Sequence, residues 1–146
     1  MSQTSKKVRL FLAILAVVVG VFMVAVAPFL IQTSLERVMT ALVKVAAQKP
    51  AYASGIALFS ILYPLYRGII FISGITLIVI ARSIYAGKEW AYPVGLLAAA
   101  FPASGGMFMM LPYVSFVDGL PLPMLVSLAG LVFFFCFILL RNVNKL

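Results

Sequence analysis

Residues 10–31 read LFLAILAVVVGVFMVAVAPFLI, 22 positions without a charge. Wound as an α-helix at about 1.5 Å per residue, the run spans roughly 33 Å, enough to cross a hydrocarbon core of about 30 Å. Lys6, Lys7 and Arg9 precede it, and Ala25-Val26-Ala27 mimics the cleavage site of a secretory signal. Signal h-regions, however, are only about 7–15 residues long, and Pro28 would stand directly after the cut. The run reads as a retained membrane helix.

The rest of the chain has the same character. Of its 146 residues, 65% are hydrophobic and 10% charged, whereas a soluble domain is about half apolar and a quarter charged. A chain of this length could not bury so much apolar surface in water, so lipid is the expected solvent. The net charge of +8 comes from Lys and Arg placed at the ends of apolar runs. That placement orients a membrane protein and suits anionic lipid head groups; it is not a nucleic-acid footprint.

Three further runs follow. Residues 51–81 contain one charge, Arg67; residues 91–117 contain none but carry Pro93, Pro102 and Pro112; residues 120–140 end before Arg141. The spans predicted are about 10–31, 56–82, 91–114 and 121–141. The fold class is thus an all-α membrane protein, a four-transmembrane-helix bundle forming a single domain over residues 1–146. Asp118-Gly119, followed by Pro121 and Pro123, is turn chemistry and joins the last two helices as an antiparallel pair.

Four spans put both termini on one side. That side collects Lys6, Lys7, Arg9, Arg82, Lys88, Arg141 and Lys145, against Arg37, Lys44 and Lys49 on the other. By the positive-inside rule both termini are cytoplasmic, in a plasma (inner) membrane. Tyr85, Trp90 and Tyr92 fall at the inner boundary and Tyr52 and Tyr113 near the outer one, as an aromatic belt requires.

Residues 34–49 are predicted to form an amphipathic helix in the first outer loop. Leu35, Val38, Met39, Leu42, Val45 and Ala46 recur at helical spacing, with Arg37, Lys44 and Gln48 off the stripe. Thr33-Ser34-Leu35-Glu36 reads as a capping box that starts it, and Pro50 stops it. Such a helix lies in the lipid interface or docks on a partner.

Arg67 is the costly residue. Counting back from Ala81 at about 1.5 Å per residue puts it roughly 21 Å into a core of about 30 Å. Insertion scales charge roughly 2.5–3.5 kcal/mol for Arg at a helix centre, less where it reaches the edge. Ser60, Tyr63 and Pro64 share its helical face. Pro64 cannot donate to the Ser60 carbonyl, so a polar pocket is expected there. Asp118 and Glu36 are the counter-ions within reach, and an anionic ligand or lipid phosphate is the functional alternative.

In the third run Ala91, Gly95, Ala99, Ala103 and Gly106 recur on one face, the small-residue pattern by which membrane helices approach closely. Pro102-Ala103-Ser104-Gly105-Gly106 is expected to bend or unwind the helix. Arg67, Tyr63, Ser60, Asp118, Ser104 and Gly105 are therefore the candidate binding residues, gathered between the second and third helices. Met107, Met109, Met110 and Met124 read as adaptable packing and not as a Cu(I) site.

The chain has no His and one Cys, Cys136. His-ligated metals, haem, dithiol redox chemistry and His-based acid–base catalysis are excluded, and nothing pairs a nucleophile with a base. No cofactor is expected. The function expected is a non-catalytic small membrane subunit or accessory protein, bound to partner subunits or to copies of itself. The alternatives are a small permease or channel with an anion-accessible site near Arg67, and a lipid-binding protein.

Overall fold

A computed structural model of the protein describes residues 3–49, 53–109, 128, 130–133, 135–136 and 138–139. Every regular element among them is helical. They are α1 (Gln3–Val21), a π turn (Phe22–Val26), α2 (Ala27–Gln48), α3 (Ala53–Tyr85) and α4 (Ala91–Met109), and the described residues of the last segment are helical too. Two stretches, Lys6–Gln48 and Gly55–Tyr85, are long and apolar enough to cross a membrane.

The first span does not stop at Ile31. It runs through the π turn into α2 as one continuous rod, so residues 34–49 extend it and do not form a separate helix. Thr33 is no cap: its hydroxyl donates to the Phe29 carbonyl oxygen at 3.0 Å, a bond made inside a helix. The reason is local. Ile31-Gln32-Thr33-Ser34 contains no Gly or Pro, so nothing ends the helix there. Lys49 does end it, with φ −137° and ψ 95°, because the residue before Pro50 is driven out of the helical region.

The π turn follows from Pro28. Proline has no N–H to give the carbonyl of Val24, and its ring crowds that carbonyl. A wider turn relieves the clash, and the Ala27 N–H bonds back to the Phe22 oxygen instead. The consequence is a shared face. Leu12, Ala16, Val19, Met23, Ala27, Ile31, Val38 and Leu42 are all buried. At about 100° per residue an uninterrupted α-helix would rotate this stripe by roughly 120° between its ends. One wide turn takes back most of that, and both halves of the rod keep facing α3.

Three close approaches fix the antiparallel register of rod and α3. Gly87 has φ +72°, a conformation that favours glycine, and a side chain there would collide with the Arg9 guanidinium. At mid-length a Cβ on Gly20 would come to 2.7 Å from the Gly74 carbonyl oxygen, and one on Gly74 to 2.8 Å from that of Gly20. Further along, Arg67 meets Gln32. Beyond that contact Val38 and Leu42 of α2 are buried in the core cluster, and Leu35 of α2 with Ile56, Phe59 and Leu62 of α3 pack against that cluster.

Gly87 also ends α3, donating to the Ile84 carbonyl while Lys88 donates to that of Ser83. α4 then returns against α3. Its small face is buried at Ala91, Gly95, Ala99 and Ala103. The last segment seats on it: a Cβ on Gly130 would lie 2.9 Å from the Ala99 carbonyl oxygen, and Phe133 is fully buried. Pro102 does not unwind α4, which stays helical to Met109.

Candidate functional site

Tyr66 and Arg67 are adjacent in sequence and about 100° apart around the helix, so they serve different neighbours. The buried Tyr66 faces α4 and donates its hydroxyl proton to the Pro102 carbonyl oxygen at 2.8 Å. Gly105 makes room for its ring, since a Cβ there would sit 2.6 Å from Tyr66 Cε2. The proline segment is thus a seat for a tyrosine, and Arg67 is not in it.

Arg67 faces the rod. Its Nη1 donates to Gln32 Oε1 at 3.3 Å, and the other end of the same amide, Nε2, donates to Glu36 Oε1 at 3.3 Å. Gln32 therefore relays between the cation and a carboxylate one helical turn further along. This is the residue that sequence reasoning missed. A glutamine at the end of an apolar run carries no motif, and its partner lies 35 positions away.

Around Arg67 lies a groove of about 680 Å³. Val24, Pro28, Phe29 and Leu35 line it from the rod, and Tyr63, Pro64, Gly68 and Phe71 from α3. It runs on both sides of the Arg67–Gln32 bridge, to Leu35 and Tyr63 on one and to Val24 and Phe71 on the other, and its lining away from the bridge is mostly apolar. Tyr63 is buried, its ring tilted against Phe59 at a centroid distance of 6.0 Å. Gly68 is open: a Cβ built there meets nothing within 4 Å.

The other expected site residues are distributed differently. Ser60 is exposed and donates to the Ala57 carbonyl oxygen at 2.7 Å, away from the groove. Ser104 is likewise turned to its own helix, bonding the Phe101 carbonyl oxygen at 3.0 Å. Gly105 belongs with Tyr66. Asp118 lies outside the described residues, as do Tyr52 and Tyr113. The structure brings Arg67 and Tyr63 together and adds Gln32, between α2 and α3 instead of between α3 and α4.

No family model, curated protein or solved structure matches this chain. Its chemistry must be argued from the groove itself. Among the described residues no three His, Cys, Asp or Glu side chains gather around a point where a metal could sit. What the groove offers is one cation within a mostly apolar lining, held by a neutral amide.

Proposed function

We propose that this protein is a non-catalytic integral membrane subunit, both termini cytoplasmic, that docks on a larger membrane partner through the outer half of its α2–α3 hairpin. The reading rests on where the register puts the ends. From Arg9 to Gln32 the rod advances about 23 residues, roughly 35 Å, and from Gly87 to Arg67 α3 covers about 20, roughly 30 Å. Those lengths match a hydrocarbon core with its boundary layers. Arg67 then sits at the outer edge, where an arginine costs little. The remaining 16 or so residues of α2 project roughly 24 Å further.

In that projecting part the two helices differ. α2 turns Glu36, Arg37 and Lys44 outward with Val43 as its one exposed large hydrophobic, while at about the same levels α3 exposes Leu58, Ile61 and Leu65. Water does not favour such an apolar stripe, and a contiguous one marks a contact surface. That asymmetry is the observation that carries the proposal. The sequence supports its non-catalytic half: it has no histidine and no nucleophile–base pair.

Purified from its native membrane in mild detergent, the protein should bring down a larger partner in fixed stoichiometry. Leu58→Ser, Ile61→Ser and Leu65→Ser together should release the partner while membrane insertion persists. A wild-type chain that runs as a clean monomer or homo-oligomer contradicts the proposal. A second reading, a permease with an anion-accessible site, has the Arg67 groove in its favour. It requires Arg67→Ala to abolish flux in reconstituted vesicles, and wild-type vesicles without flux would end it.

A further inference from the structure

We infer that the groove between α2 and α3 holds a single phospholipid, its phosphate on the Arg67 guanidinium and an acyl chain along Phe29, Phe71 and Val24. Three observations carry this. First, Arg67 is exposed, and its one hydrogen bond among the described residues goes to a neutral amide at 3.3 Å, longer than a charge-assisted bond to an anion. Its planar fork can keep that bond and still offer N–H groups to two phosphate oxygens.

Second, the groove is amphipathic. Apart from the Arg67–Gln32 bridge its lining is mostly apolar, reaching about one turn to Leu35, Tyr63 and Pro64 on one side and further, to Val24 and Phe71, on the other. A free inorganic anion would use only the bridge; a phospholipid also fills the longer apolar arm. Third, about 680 Å³ is the size of a small-molecule site and accommodates a head group with part of one chain. The register above puts the cation at the level of the lipid phosphates, so the ligand is present wherever the protein is inserted. The inference is independent of any partner subunit.

The test is native mass spectrometry of the detergent-solubilised protein, titrated separately with phosphatidylglycerol, phosphatidylethanolamine, diacylglycerol of the same chains, and sodium phosphate. One equivalent of either phospholipid should be retained, with diacylglycerol held roughly ten- to a hundredfold more weakly, the worth of one charged hydrogen-bonded contact. Sodium phosphate should neither bind detectably nor displace the lipid; if it does, the site is a free-anion site and the inference fails. Arg67→Gln should bring the phospholipids down to the diacylglycerol level. Gly68→Leu gives an independent check: Gly68 lines the groove and a Cβ there meets nothing within 4 Å, so the larger side chain should block retention in a folded protein. Equal retention of phospholipid and diacylglycerol by the wild type, or undiminished retention by both variants, overturns the inference.

Discussion

Tyr66 and Arg67 show how one step along a helix changes a residue's role. Tyr66 is locked into α4 by its bond to the Pro102 carbonyl; Arg67 looks the other way, into a groove. Removing the hydroxyl in Tyr66→Phe should cost about 0.5–1.5 kcal/mol, the usual net worth of a buried hydrogen bond. It should register as a lower unfolding temperature in detergent. Ser104→Ala, which deletes only an exposed bond within its own helix, should change nothing measurable. The cost of Arg67 was legible in the sequence because charge in an apolar run is conspicuous. Its partner was not, because Gln32 is polar only enough to look like a boundary residue. The tertiary register that unites them is set by glycines far from both.

At the scale of elements, irregularity falls in the rod and not in the helices where the prolines cluster. Pro64 and Pro102 sit inside unbroken helices, while Pro28 follows the one wide turn among the described residues. Proline content alone does not say which outcome follows. The stripe does: at Pro28 a wide turn also realigns the buried face. A π turn amounts to one residue inserted into an α-helix. Deleting Ala25 should therefore remove the extra residue and leave the faces on both sides in phase. Deleting Val18 should instead rotate Gly20 off Gly74. The first variant should fold and elute as wild type does on size exclusion in detergent, and the second should aggregate. The glycine crossing can be tested directly as well. Gly20→Leu should destabilise by about 1–3 kcal/mol or more through overpacking, whereas Gly55→Ala, with open space around it, should be neutral or slightly stabilising. Neither glycine of the crossing announces itself in sequence: Gly20 is a lone glycine in a long apolar run, and Gly74 is one of three in its run without a small-residue repeat. The small stripe of α4 was readable because it repeats. The amphipathic pattern of residues 34–49 was readable for the same reason, but periodicity could not tell that its apolar face meets α3.

For the whole molecule, composition pointed to a lipid environment, and two helices among the described residues are long and apolar enough to cross a membrane. The register adds a frame: Arg9 and Gly87 at one level and Gln32 and Arg67 at another, roughly 30–35 Å apart along the helices. Partner docking and lipid binding both depend on that frame. Side-specific labelling tests it most directly. Single cysteines replace Lys44 and Lys88, both exposed, in a Cys136→Ala background, and intact cells are treated with a membrane-impermeant maleimide. Lys44→Cys should label from outside, and Lys88→Cys only after lysis. Labelling of both from the same side would mean that the hairpin does not cross the membrane.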